Sequence, residues 1–195
     1  MNKIRKDVVI VSNGVDINKF KVSRLSGIPQ AAGQSSKFKV DREKRILFIG
    51  EFKLVQNTDA IQWILTEIWP KLKAELIQSM TGGIKLWVVG RNIPDSIRKL
   101  TSDRSVIFDE NAPEETELIY QKSDILLVPI RVGGGTSFKI LEGMASGVPV
   151  ITTPLGNAIG ALENEEIIIA ETSDAFVKSI KKLLEDKEFY GKVSL

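Results

Sequence analysis

The chain has 195 residues, 27 basic and 25 acidic, 43% hydrophobic, with a formal net charge of +2 and neither cysteine nor histidine. That length suits one globular domain with a proper core, and the composition excludes a disordered or fibrous chain. The two missing residue types exclude disulfides, thiol nucleophiles, Cys- or His-type metal centres and any imidazole base, so the available chemistry is that of backbone groups, carboxylates, Lys/Arg and hydroxyls.

The start, Met1-Asn2-Lys3-Ile4-Arg5-Lys6-Asp7, is charged and leads into only four apolar residues, so no signal peptide is expected and the cytoplasm is the expected location. No apolar run approaches the ~18 residues of a membrane span. No basic cluster interleaved with aromatics points to nucleic acid. Strands are expected at Val8–Val11, Arg45–Ile49, Lys85–Val89, Ser105–Phe108, Ile125–Val128, Val148–Thr152 and Glu166–Ala170. Several are continuously apolar, as parallel strands covered on both faces are. Between the second and third, Ile61, Ile64, Leu65, Ile68, Leu72 and Leu76 form one apolar helical stripe, with Pro70 expected to kink the helix or start a new turn. Further helices are expected at Asp95–Leu100, Glu114–Lys122, Ser137–Ala145 and Ser173–Glu185. The rhythm predicts an α/β fold, a Rossmann-like doubly wound parallel sheet. The Gly-, Pro- and Ser-rich stretch Ser23–Lys39 reads as an exposed loop, and the segment before it, with its Asn13-Gly14 turn, as a docking strand outside the sheet.

One stretch is site-like. Strand Ile125–Val128 is followed by Pro129-Ile130-Arg131-Val132 and then by Gly133-Gly134-Gly135-Thr136-Ser137 at the start of a helix. Glycines let backbone amides approach a ligand, and the first N–H groups of a helix lack intrahelical acceptors, so a phosphate or diphosphate fits there. Neither a Walker A ending nor a Gly-x-Gly-x-x-Gly pattern is present, and the residues fit a bare turn capped by Thr136 or Ser137 equally well. Glu142 follows Gly135 by seven positions, nearly two helical turns, on the same helix face. From there its carboxylate could reach the ribose of a bound nucleotide, or simply face water.

Gly133 to Ile151, through Lys139-Ile140-Leu141-Glu142-Gly143-Met144-Ala145, resembles the donor-site signature of GT-B retaining glycosyltransferases of the group 1, or family 4, type. Ser12-Asn13-Gly14-Val15-Asp16…Phe20, Ile46–Gly50 with Asn57-Thr58-Asp59-Ala60, and Leu86–Arg91 are similar to further segments of that family. The resemblance implies that residues 1–195 form a single C-terminal, nucleotide-sugar-binding domain. A UDP-, GDP- or ADP-sugar would be its substrate, with no cofactor and no metal. Gly133, Gly134, Gly135, Thr136 and Ser137 would supply amides to the donor diphosphate; Lys139, Arg91 or Lys53 would supply charge; Glu142 would bind ribose. No catalytic residue is expected within the chain itself. Family members with an arginine in the Lys53 loop carry it nearer Val55, and the first of the family's two paired glutamates would fall at Gly134, as in a triple-glycine branch. That branch often has arginine where Ser137 stands. The resemblance further implies retaining transfer to a glycan or lipid-linked acceptor, as in polysaccharide biosynthesis. It requires an N-terminal acceptor-binding domain that these residues lack, with membrane contact only through the acceptor or that domain. A nucleotide-sugar epimerase or a non-catalytic module of the same fold shares the architecture. The helix Ser173–Lys187, with Lys178, Lys181 and Lys182 opposite an apolar stripe, fits a membrane surface less well than ordinary packing on the sheet.

Overall fold

The computed structural model describes residues 14–20, 43–76, 83–133 and 137–194. The expected strand Val8–Val11 and the loop Ser23–Lys39 lie outside them, as do Gly134, Gly135 and Thr136. Six strands, β1 (Lys44–Ile49), β2 (Ile84–Val89), β3 (Val106–Asp109), β4 (Ile125–Val128), β5 (Val150–Thr152) and β6 (Ile168–Ile169), form one sheet. Every pairing is parallel, in the order β3-β2-β1-β4-β5-β6. The chain therefore winds outward from β1 to β3, returns to β4 on the other side of β1, and winds outward again. The order reverses between β1 and β4, and beyond the carboxyl ends of these two strands a crevice must open.

Alternation along the strands splits the core into two layers. Ile46, Phe48, Leu86, Val88, Ile125 and Leu127 face one layer, while Leu47, Trp87, Val89, Leu126 and Val128 face the other. The first layer is closed by α2 (Val55–Trp63), α3 (Trp69–Leu76), α4 (Asp95–Arg98), α7 (Ser173–Glu185) and α8 (Lys187–Val193). The second is closed by α1 (Ile17–Phe20), α5 (Thr116–Gln121) and α6 (Phe138–Ala145).

Pro70 does not break the long helix; it is the second residue of α3, which follows a π-helical turn. The turn before it, Ile64–Ile68, is π-helical and continuous with α2 and α3, with the Trp69 N–H donating to the Ile64 carbonyl. Pro70 has no N–H, and its ring crowds the carbonyl four residues back, so widening that turn relieves the clash while the apolar stripe stays buried. The Asn-Gly-Val-Asp segment forms no strand among the described residues: Asp16 Oδ1 accepts the Asn18 amide at 2.9 Å and starts α1, which buries Phe20 against the Tyr120 ring.

At the C-terminal end one feature departs from expectation and another follows it. The last expected helix ends at Glu185, but α8 follows, capped by Asp186, whose side chain accepts from the Phe189 amide at 2.9 Å. The Tyr190 hydroxyl of α8 then donates to the Asp124 carbonyl at 2.9 Å. On α7 the apolar stripe Phe176, Val177, Ile180 and Leu183 is buried in the core. Lys181 pairs with Glu75 of α3 at 2.7 Å, and Lys182 lies over the Phe189 ring. That apolar face is already covered, so the membrane-surface reading of this helix is overturned. No helix among the described residues is long and apolar enough to cross a membrane.

A candidate nucleotide-sugar cleft at the switch point

A cleft of about 270 Å³ opens where the strand order reverses. Gly50 and Glu51 line it from the end of β1, Ile130 and Val132 from the end of β4, and Leu155 from beyond β5. The first turn of α2 contributes Gln56 and Asn57, with Leu54 just before it; α6 contributes Phe138 and Lys139, with Ser137 at its N-cap. Two helix starts thus converge on one opening. Neither N-cap residue, Leu54 or Ser137, bonds its own side chain to the helix it starts. Leu54, Val132, Phe138 and Leu155 stay exposed and give the cleft an apolar rim.

Lys139 is the cation of this cleft. Its Nζ donates to Asn57 Oδ1 at 2.7 Å and lies 5.3 Å from the Phe48 ring centroid. Asn57 in turn donates from Nδ2 to the Glu51 carbonyl at 2.8 Å, so the amide is held from both ends. Burial lowers the Lys139 ammonium to about 8, and the nearby Glu142 carboxylate works in the opposite direction. Glu142 lies one turn further along α6, does not line the cleft itself, and accepts a hydrogen bond on Oε2 from the Tyr120 hydroxyl at 2.9 Å.

The other sequence-derived candidates fall in different places. Ser137 is the N-cap residue of α6 by backbone position, with no bond from its own side chain to the helix. Gly133 adopts φ +92°, a conformation that L side chains avoid, so glycine is required where the loop leaves Val132. Arg91 and Lys53 do not line the cleft. Arg91 is exposed and pairs with Glu114 at 3.1 Å, and the Lys53 amide donates to Glu51 Oε1 at 3.2 Å.

Three contributors were missed as site residues from sequence. Asn57 carried a signal, since it stands on the same helical face as Ala60, Ile61 and Ile64, and a polar residue on a buried stripe is informative. Tyr120 and the pair Asp59–Arg131 carried none, because their partners are distant in sequence. Arg131 forks onto both Asp59 oxygens, at 2.8 and 3.1 Å, while its guanidinium lies 4.6 Å from the Trp63 ring centroid. This clamp ties the segment leading into the glycines to α2.

An all-parallel sheet with a cleft at its switch point defines a doubly wound α/β domain of the GT-B type. A family model described as glycosyl transferases group 1 matches residues 43–186, and the chain belongs to that family. It is 27% identical over 147 residues to an uncharacterized 44.6 kDa protein in the cps region of Klebsiella pneumoniae, a match covering 69% of this chain and 36% of that protein. The chain thus spans about a third of that relative's length. Among solved structures, a glycosyltransferase from Rickettsia africae is 16% identical with a TM-score of 0.67, covering 95% of this chain and 50% of that one. Anabaena HepE, in complex with UDP and glucose, is 16% identical with a TM-score of 0.63, covering 93% and 48%. The C-terminal domain of LpcC, a group 1 glycosyl transferase protein of Francisella tularensis, is 16% identical with a TM-score of 0.60, covering 93% of each.

Proposed function

We propose that this chain is the donor-binding domain of a glycosyltransferase and that a nucleotide-diphospho-sugar, a UDP-, GDP- or ADP-sugar, occupies the switch-point cleft. The observation that carries this reading is Lys139, a largely desolvated cation held by Asn57 at the start of α6, beside the glycine-rich loop. In this reading the loop Gly133–Ser137 and the first amides of α6 receive the diphosphate, and Lys139 balances its charge. Arg91 and Lys53 add charge from the exposed edge when a ligand draws them in. Glu142 accepts hydrogen bonds from the ribose hydroxyls. The bound UDP of Anabaena HepE supports a nucleotide ligand on this fold.

In the whole enzyme, an N-terminal domain would present a glycan or lipid-linked acceptor, and transfer would proceed with retention at the anomeric carbon. Charge developing on the leaving diphosphate would be stabilised by Lys139 and the loop amides, a preorganised electrostatic role that needs no histidine in this half. The cps-region relative is consistent with a polysaccharide product.

Glu142→Ala is expected to weaken nucleoside diphosphate binding by about 10- to 150-fold, the equivalent of roughly 1.5–3 kcal/mol for hydrogen bonds to a charged group. Titration calorimetry checks it, and an unchanged affinity would remove the ribose role. Conversion of the sugar nucleotide without any acceptor would instead favour an epimerase on this fold.

A further inference from the structure

We propose that Tyr120 is a positioning residue for donor binding, its hydroxyl holding the Glu142 carboxylate in the orientation that accepts the ribose hydroxyls. The inference rests on the ribose role proposed for Glu142. Tyr120 sits on α5, fully buried, with its ring edge-on to Phe20 at a centroid distance of 6.2 Å. A phenylalanine would supply all of that packing. The hydroxyl is the addition, and burying one is unfavourable unless it is hydrogen-bonded.

A phenol has one proton to donate. Glu142 Oε2 lies at 2.9 Å and the Lys139 carbonyl at 3.4 Å, so the shorter, charge-assisted bond to the carboxylate takes it. Among the described residues no other group hydrogen-bonds the Glu142 carboxylate; Lys139 Nζ donates to Asn57 and acts on Glu142 through charge. A glutamate on a helix otherwise samples several rotamers, and fixing one before the ligand arrives removes that ordering cost from binding. With Oε2 engaged by Tyr120, Oε1 is the oxygen left to accept from a ligand. Burial and the adjacent Glu142 carboxylate raise the Tyr120 phenol well above its ordinary range, so the donor stays protonated through the working range of pH.

The test is calorimetry of the full 195-residue chain with UDP, GDP and ADP, continued with whichever binds and with its 2′,3′-dideoxy analogue. Tyr120→Phe should weaken the ribonucleotide by roughly 3- to 10-fold and leave the dideoxy analogue unaffected. In a Glu142→Ala background the same change should cost nothing more. An equal loss for both ligands, or a loss that simply adds to that of Glu142→Ala, would reduce Tyr120 to packing and overturn the proposal. Should Tyr120→Phe not fold, the wild-type chain labelled with ¹³Cζ-tyrosine serves: its two tyrosines give two signals, and that of Tyr120 should move with the ribonucleotide but not with the dideoxy analogue. No difference between the two ligands again overturns the proposal. Weakening by Glu142→Ala without weakening by Tyr120→Phe defeats this inference alone, whereas unchanged binding by Glu142→Ala, or no binding of any of the three nucleotides, defeats the ribose reading beneath it.

Discussion

Lys139 couples the cleft to pH in two opposite directions. Its ammonium is lowered to about 8 in the folded chain against about 10.5 for an ordinary lysine. Between these values the unfolded chain binds more protons than the folded one, so the contribution of this group to stability rises with pH from about 8 to about 10.5. Below 8 both states carry the proton, and the cost of desolvating it persists. Anion affinity runs the other way, because only the protonated lysine balances a diphosphate. Nucleoside diphosphate binding should therefore fall as pH rises through about 8, and Lys139→Met should bind weakly and flatten that profile. Calorimetry from pH 7 to 9.5 on both proteins checks this. The place of Glu142 was legible in sequence, because it stands at a fixed offset along one helix from the glycines, and Lys139 came from the motif resemblance. What holds them was not. Asn57 precedes Lys139 by 82 positions and Tyr120 precedes Glu142 by 22, each on another helix.

Among the elements, the end of β1 at the cleft meets the end of β2 through a close backbone contact. Gly90, just after β2, sits at φ +154° against the loop after β1, where a Cβ would lie 1.8 Å from the Gly50 carbonyl oxygen. That neighbour is main chain and cannot swing aside. Gly90→Ala should thus destabilise the fold by roughly 3 kcal/mol or more, at the upper end of overpacking effects, and shift the Gly50–Asn57 side of the cleft. Urea titration followed by circular dichroism measures the first effect. Element existence was well marked in sequence, since continuous apolar runs such as Ile125–Val128 can only be buried strands or helices, and their lengths decide. Details set by tertiary fit were less so. β6 is a two-residue strand where five residues were expected, and α8 escaped notice because its seven residues give too short a stripe for a period to show.

For the molecule as a whole, the cleft reading predicts a response to ligand that a bare scaffold lacks. A nucleoside diphosphate at about 100 times its Kd should add about 2.7 kcal/mol, raising the Tm of a domain this size by roughly 5–10 °C. A thermal-shift series over UDP, GDP and ADP with their sugars reads it and ranks the bases; a flat response to all of them would favour a non-catalytic module.

Sequence by itself determined the α/β class and the linear array from Gly133 to Glu142, because hydrophobic period and helical spacing are local properties that survive without a partner, and the resemblance of its motifs pointed to the family. Its missing histidines and cysteines still exclude imidazole and thiol chemistry from these residues. Only the tertiary structure decided that β1 and β4 lie side by side with the order reversing between them, and so that Asn57 and Lys139 meet. It also covered the apolar face of α7, set Tyr120 beneath Glu142, and left Arg91 outside the cleft. Those outcomes depend on side chains from separate elements competing for the same space and the same protons, and no spacing along one chain records that competition.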